Sequence, residues 1–378
     1  MVAQSKNEYL GRIKDRYRHA VRRGKARILD EFCEVCGHHR KHAIRLLRGD
    51  GRRVKKKPGR KGRYGPAEIR VLEEIWLNAD RPCSGRLVGM ILLWLPFYEK
   101  RNGYLEEEVK EKLLDAKART LDRVLGPARR KHGSRGLSGT RPGSYLKNSI
   151  PIKISHADVD APGFIQSDTV AHCGGSLEGD FAWSLTFTDI FSGWTENGAT
   201  WNKGEHGVHE LLKRIEDRLP FAVKGFHSDN GGEFINHHLH SYYRDREEPV
   251  AMTRGRAGRK NDNPHVEQKN YTHVRLLLGY QRIEDPDLVQ SINELYDATG
   301  LFNNFFCTNR KLIFKERRGS RYYKKYDQAA TPCQRLLDSG LLTELQVIHL
   351  KGIQAHLNPY TLRELIDNKR DRILRKLR

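Results

Sequence analysis

The chain has 378 residues and a net charge of +22, from 69 Lys and Arg against 47 Asp and Glu. Its longest apolar run, at residues 88–97, is too short for a membrane span, which takes about 20 residues. The composition excludes a membrane protein and favours a polyanion such as nucleic acid as the partner. Six Cys in a long chain with no apolar N-terminal signal core indicate the reducing cytoplasm, where we expect the protein at the nucleoid.

Positive charge is concentrated near the N-terminus, where residues 1–63 hold 21 Lys or Arg and 6 Asp or Glu. Apolar spacing predicts helices at residues 9–23, 26–33 and 38–47, with Gly37 in the short turn between the second and the third. This pattern is typical of a helix-turn-helix DNA-binding unit, and a plain helical hairpin is the alternative. On the last helix we expect three cations to face DNA: Arg40, Lys41 and Arg45.

The same segment contains potential zinc ligands. Cys33 and Cys36 are followed by three histidines, His38, His39 and His42, which have the donor atoms that zinc takes. An apolar helix face with the two Cys as small core residues explains the segment without a metal. We therefore do not expect zinc here.

Two linkers and a second helical unit follow. Residues 52–65 are basic and contain Gly and Pro, so they cannot bury a core. Apolar periodicity predicts further helices between residues 66 and 130, which we interpret as a second DNA-binding unit after a first one at 1–51. A connector rich in Gly, Ser, Arg and Lys then spans residues 131–155.

Residues 156–283 have the pattern of a mixed α/β domain. Strands are predicted at five segments, residues 163–172, 181–190, 194–200, 222–227 and 249–253. Helices are predicted at residues 207–219, 237–244 and 264–279, the last of which starts at Pro264. The element order is therefore β-β-β-α-β-α-β-α.

Three acids of this domain are candidates for a metal site. Asp168 lies in the first strand, Asp229 follows the fourth, and Glu267 lies in the first turn of the last helix. Carboxylates in this arrangement suit hard divalent cations, which bind oxygen ligands and keep positions open for phosphate. Asp180 and Asp189 lie nearby in the sequence and could be mistaken for the first acid of the site. Asp189 falls in a turn after the second predicted strand, whereas the first acid is expected on the first strand.

Two motifs resemble those of a known family. Asp229-Asn230-Gly231 is one, and Val266-Glu267-Gln268-Lys269-Asn270 is the other, where the family has Val-Glu-x-x-Asn. They resemble the catalytic motifs of retroviral-type integrases and bacterial insertion-sequence transposases with an Asp-Asp-Glu triad. The resemblance implies a ribonuclease H-like core at 156–283, with Asp168, Asp229 and Glu267 as catalytic residues. It also implies that these three acids bind two Mg²⁺ or Mn²⁺ ions.

The resemblance implies a transposase that binds element-end repeats, uses water to free a 3′-hydroxyl and joins that hydroxyl to target DNA. Its partner would be double-stranded DNA, both element ends and target, with self-association in the active complex. Two alternatives stay open. One is a domesticated DNA-binding regulator that no longer cuts, and the other is a ribonuclease H-like nuclease.

The basic segment between the two motifs resembles the mobile loop before the catalytic helix of integrases. Four of its cations are predicted to contact phosphates, with a solvated charged loop as the alternative: Arg254, Arg256, Arg259 and Lys260. Lys269 is expected to hold DNA or the helix. Asn230 and Asn270 are expected to support the catalytic acids.

Residues 284–378 are predicted to be mostly helical. The helices fall at residues 288–302, 330–339, 344–356 and 359–377, with a possible β-hairpin at 311–326. Arg and Lys in the hairpin suggest a further DNA contact. A helical extension that mediates self-association is the alternative.

Overall fold

The computed structural model describes residues 3–49, 63–132, 159–202, 204–229, 234, 237–255 and 264–377. The chain forms two compact units, Met1–Arg63 and Tyr64–Arg378. The expected linkers lie largely outside the described residues, as do four predicted site residues: Asn230, Arg256, Arg259 and Lys260. The finer domain boundaries stay predictions.

The first unit contains three helices, α1 (Ala3–His19), α2 (Arg22–Cys36) and α3 (Arg40–Arg48). Gly37 ends α2 with a φ of 67°, a left-handed conformation that glycine adopts without strain. The helices pack through one apolar cluster, formed by Ile13, Tyr17, Ile28, Leu29, Phe32, Cys36, Ala43 and Leu47. The helical composition is as predicted, and a helix-turn-helix function stays a prediction.

The second unit begins with helices that share a core with the rest of that unit. They are α4 (Pro66–Asn78), α5 (Ser84–Asn102), α6 (Glu107–Leu114), α7 (Ala118–Val124) and α8 (Gly126–His132). Trp94 of α5 is fully buried, and its indole N–H donates to the carbonyl oxygen of Phe306 at 3.1 Å. These helices therefore pack into the same core as the C-terminal region.

A five-stranded mixed sheet forms the centre of the second unit. Its strands are β1 (Phe164–Ala171), β2 (Ala182–Asp189), β3 (Thr195–Trp201), β4 (Gly225–Ser228) and β5 (Ala251–Arg254), in the spatial order β3-β2-β1-β4-β5. The first three pair antiparallel, whereas β1, β4 and β5 run parallel. Helices α9 (Glu205–Glu216), α10 (His237–Arg244) and α11 (Pro264–Lys269) complete the predicted β-β-β-α-β-α-β-α order, which is confirmed.

The outer edge of β3 is covered by α13 (Leu288–Phe306). Asn293 exchanges two hydrogen bonds with the backbone of Ala199, at 2.8 and 3.0 Å. Asn304 does the same with Thr195, at 2.9 and 3.0 Å. Two buried side-chain amides thus take the place of a further strand, because an uncovered edge would leave backbone groups unpaired.

The C-terminal elements match their prediction closely. They are the strands β6 (Leu312–Arg318) and β7 (Arg321–Tyr326) and the helices α14 (Pro332–Asp338), α15 (Glu344–His356) and α16 (Pro359–Lys376). The strands form a separate antiparallel ribbon. Among the described helices, none combines the length and apolarity needed to cross a bilayer.

The helix predicted at residues 264–279 differs from a regular α-helix. After α11 the chain forms a π-helical segment, Asn270–Arg275, and then a short α12, Leu276–Leu278. Tyr271 is 48% exposed, whereas Val274 and Leu278 are fully buried. A π-helix takes more than 3.6 residues per turn, so the segment shifts the faces that follow it.

Candidate active site at the ends of two parallel strands

The register of β1 and β4 brings two of the predicted acids together. Ser167 of β1 lies opposite Ser228 of β4, and each is followed in the chain by an acid, Asp168 within β1 and Asp229 just past the end of β4. Neighbouring strands lie about 4.8 Å apart. The two aspartates therefore start from adjacent backbone positions. Asp168 is half-buried and Asp229 is exposed.

Hydrogen bonds orient the Asp168 carboxylate. Its Oδ1 accepts from the backbone N–H of Thr169 at 2.8 Å, and its Oδ2 accepts from the side-chain amide of Asn270 at 2.6 Å. The Oδ1 atom of Asn270 is buried and has no hydrogen-bond partner among the described residues. Asn270 thus supports Asp168 and presents a second, unused oxygen beside it.

Gln166 attaches the third acid's helix to the sheet, a role that the sequence analysis missed. The side chain of Gln166 is fully buried, and its Oε1 accepts from the backbone N–H groups of His265 and Val266, at 2.8 and 3.1 Å. These amides belong to the first turn of α11, where no intrahelical acceptor exists. Gln166 precedes Asp168 by two positions, and residues two apart on a strand lie on the same face. This spacing is the signal that could have placed Gln166 beside the site.

Glu267 lies on α11, the helix that Gln166 attaches to the sheet. It precedes Asn270 by three residues, and residues three apart are neighbours on a helix surface. Its side chain is exposed. In the described part of the chain, no three His, Cys, Asp or Glu residues are gathered closely enough to form a ready-made metal site. The structure therefore aligns the two aspartates and places Glu267 on the adjoining helix without closing a three-carboxylate cluster.

The end of β5 supports the strand that carries Asp229. The N–H of Gly255 donates to the carbonyl oxygen of Ser228 at 3.0 Å, directly before Asp229. Arg254 was predicted to be an exposed loop cation, but it is the last residue of β5 and only 6% exposed. The structure corrects this expectation, because a residue in a parallel strand next to β4 has little access to a phosphate in solvent.

Lys269 was expected to hold DNA or the helix, and its partial burial favours the second alternative. Burial, together with the nearby Arg86 guanidinium of α5, lowers the pKa of its ammonium group to about 7. The residue is half-buried. Lys269 therefore lies on α11 within the electrostatic reach of Arg86 of α5 and is not a fully exposed cation.

The predicted cations of the N-terminal unit are all exposed on α3. Arg40 forms an ion pair with Asp30, and Arg45 contacts Nδ1 of His42 at 2.9 Å. Lys41 extends from the same exposed side. The three cations thus share a solvent-facing surface, as a DNA contact requires.

Other buried ionisable groups of the second unit are structural. Asp189 accepts from the N–H groups of Gly163 and Ser192, at 3.0 and 2.7 Å, which closes the turn after β2. Burial raises the pKa of Glu196 to about 7, and its Oε1 accepts from the Trp194 indole at 2.9 Å. These acids hold β2 and β3 in place and do not belong to the site, as the sequence analysis expected for Asp189.

Comparison with known proteins gives one clear relative. The chain is 36% identical over 336 residues to the uncharacterized protein y4rM of Sinorhizobium fredii (strain NBRC 101917 / NGR234), a match that covers 88% of this chain and 95% of the relative. No protein-family model matches the chain. A structural match to the catalytic core domain of BIV integrase covers 47% of this chain and 95% of that one, with 15% identity and a TM-score of 0.31.

The observed topology defines the class of protein: a mixed α/β core, flanked by helical regions, with two aspartates at neighbouring positions of parallel strands. The extent and identity of the sequence match then show that the chain belongs to the family of protein y4rM.

Proposed function

We propose that this protein is a metal-dependent DNA transposase of the integrase type, with Asp168, Asp229 and Glu267 as its catalytic residues. One observation carries the proposal: the register of β1 and β4 sets two carboxylates side by side, next to the helix that bears the third. The net charge of +22 supports double-stranded DNA, from element ends and from a target, as the partner.

The donor set of the site fits Mg²⁺ or Mn²⁺. Hard cations prefer carboxylate and amide oxygens, and the site offers these from Asp168, Asp229, Glu267 and the unpartnered Oδ1 of Asn270. The exposure of Asp229 and Glu267 leaves room for phosphate oxygens. Two such ions, when bound, supply activation of the attacking oxygen and stabilisation of the leaving 3′ oxygen.

The chain's own contribution is placement. Gln166 holds the N-terminus of α11 against β1, so that Glu267 stays at the sheet. Asn270 fixes the direction of the Asp168 carboxylate. Water would attack at an element end and free a 3′-hydroxyl, which would then attack target DNA. Neither step needs a covalent protein intermediate, and the active complex would contain more than one copy.

The test uses duplexes that carry the DNA flanking the gene, incubated with the full chain and Mg²⁺ or Mn²⁺. We expect 3′-end cleavage and strand joining by the wild type. Asp229→Asn should lower both by more than about 100-fold, because changes beyond a metal's direct ligands already cost about 10–100-fold. Asp180→Asn is the matched control, since Asp180 is an exposed acid of the same core. DNA binding should stay unchanged in both variants.

Three outcomes would contradict the proposal in different ways. If the wild type neither cleaves nor joins any flanking DNA, the regulator that no longer cuts becomes the better interpretation. If the wild type cleaves duplexes without joining them, a ribonuclease H-like nuclease is favoured. Joining by Asp229→Asn at the wild-type rate would remove Asp229 from the catalytic set.

A further inference from the structure

The β6–β7 ribbon leaves the core from a firmly held base. Asn309 and Ala330 form an antiparallel bridge just before and after it. Asp327 accepts from the backbone N–H of Lys311 at 2.6 Å and forms an ion pair with Arg335. The Lys311 ammonium donates to the carbonyl oxygen of Phe191, in the turn after β2. The direction of the ribbon is therefore set by contacts with the core of the second unit.

Beyond this base the ribbon is exposed on both faces. All seven residues of β6 are exposed, including Leu312 at 46% and Phe314 at 46%. On β7, Tyr322 is 55% and Tyr323 is 49% exposed. A two-stranded hairpin is marginal in water without a partner for its apolar groups. Large apolar and aromatic side chains on an isolated ribbon indicate a surface that is covered by something else.

The register separates the ribbon into two chemically different faces. Leu312 lies opposite Tyr326, Lys315 opposite Lys324, and Arg317 opposite Tyr322. Side chains alternate along each strand, and the bulge in β6 between Leu312 and Phe314 brings Leu312 onto the side of Lys315 and Arg317. These six residues therefore form one face, which we call the lysine–tyrosine face. It carries three cations and no acid. Glu316, the ribbon's one acid, projects from the opposite face, where it pairs with Arg318 at 2.7 Å.

The charges on the lysine–tyrosine face favour a polyanion. Like charges directly opposite each other destabilise a pair of strands, and Lys315 and Lys324 are placed in this way. Between Leu312 and Tyr326 the chain has six Lys or Arg and one Glu. Two copies of the ribbon placed edge to edge would bring more Lys and Arg side chains together and increase the repulsion between them. A row of phosphates would instead offset it.

We propose that the lysine–tyrosine face of the β6–β7 ribbon binds the backbone of double-stranded DNA along a groove. The major groove is about 12 Å wide and admits a two-stranded ribbon. Seven residues of β6 extend about 24 Å, enough to follow several phosphates. The Nζ of Lys315 lies 4.7 Å from the centre of the Tyr322 ring, which keeps the ammonium on the exposed side of the ribbon. The inference rests on the proposed function for the nature of the polyanion.

The test measures binding of a mixed-sequence duplex by the full chain in the Asp229→Asn background, without divalent metal, so that catalysis plays no part. Lys315→Gln, Arg317→Gln and Lys324→Gln are combined in one variant. The matched control combines Lys351→Gln, Arg372→Gln and Lys376→Gln, three exposed cations of α15 and α16. Each phosphate contact contributes about 0.9 to the slope of log affinity against log salt.

We expect the ribbon variant to lose about 2.7 from this slope and the control to keep it. The ratio of wild-type to variant affinity should then be about 40-fold larger at ~50 mM than at ~200 mM salt. Lys324→Glu alone, as a milder change, should lower the slope by about 0.9 or more. These results would stand even if no strand joining were found.

Equal slopes for the wild type, the ribbon variant and the control would overturn the inference. A second result would also overturn it. If light scattering shows that the ribbon variant is a monomer where the wild type is a larger assembly, and its salt slope per protomer is unchanged, then the ribbon serves self-association. Circular dichroism melting of each variant checks that the fold is retained.

Discussion

Gln166→Met is the sharpest test of how the site is built. The substitution keeps the length of the side chain and removes the oxygen that accepts from the N–H groups of His265 and Val266. His265 is exposed, so its N–H can turn to water, whereas Val266 is fully buried and its N–H cannot. A buried donor left unsatisfied costs about 1–3 kcal/mol. That free energy weakens the attachment of α11 to β1.

Amide hydrogen exchange reads this attachment directly. The first amides of a helix have no intrahelical acceptor, so the protection of Val266 depends on Gln166. A loss of about 1–3 kcal/mol should speed exchange at Val266 by about 5–150-fold, while amides in the sheet keep their protection. The strand-joining rate should fall by about 10-fold or more at saturating DNA, because Glu267 moves with the helix.

Gln166→Glu is the matched control, because it keeps acceptor oxygens at the same position and should retain most of the protection at Val266. Unchanged exchange at Val266 in Gln166→Met would refute the reasoning. A uniform loss of protection across the sheet would show that Gln166 stabilises the whole core and not the attachment of α11.

Two further predictions concern neighbours of this helix. Since burial lowers the pKa of Lys269 from 10.5 to about 7, the unfolded chain binds a proton that the folded chain lacks between those values, and stability rises with pH in that window. The Lys269 ammonium should contribute about 2 kcal/mol to the free energy of unfolding as the pH rises from about 7 to about 9. Chemical denaturation of Lys269→Met should lack this contribution, and an identical rise in the variant would contradict a lowered pKa for Lys269. Asn270→Asp replaces the 2.6 Å hydrogen bond to Asp168 with a contact between two carboxylates. We expect a loss of about 2–3 kcal/mol in EDTA that Mg²⁺ largely restores, measured by thermal unfolding, whereas Asn270→Ala should respond little to Mg²⁺; equal responses of the two variants would argue against a cation beside Asp168.

The sequence predicts the strands and helices of the core well, because their periodicity is local. The alternation in β2 and the apolar spacing of α9 follow from which face each element buries. The order of the elements and the ribbon at Gly319 follow in the same way. Asp168 and Asp229 could be chosen as candidates from their positions relative to the predicted strands.

What the sequence does not predict depends on contacts between distant residues. Gln166 and His265 are 99 positions apart, and nothing local to Gln166 indicates that it caps a helix. A lysine beside the predicted catalytic acid is typical of a DNA contact. The surroundings of Lys269 depend, however, on Arg86 of α5, which is distant in sequence. Arg254 follows the predicted strand at residues 249–253 and was assigned to the loop. Its pairing with Ser228 joins two segments that are distant in sequence, so no local pattern indicates it.

The number of residues in the π-helical segment Asn270–Arg275 sets the direction in which the helix that carries Glu267 presents its side chains. Each residue of a helix turns the chain by about 100°. Val274, within the segment, and Leu278, after it, are buried and anchor the helix, whereas Glu267 lies before the segment. A single-residue deletion between Asn270 and Val274 would restore α-helical bonding and keep both anchors buried, and yet it would turn Glu267 by about 100° around the helix axis. The direction of the third acid is therefore encoded in spacing as much as in residue identity.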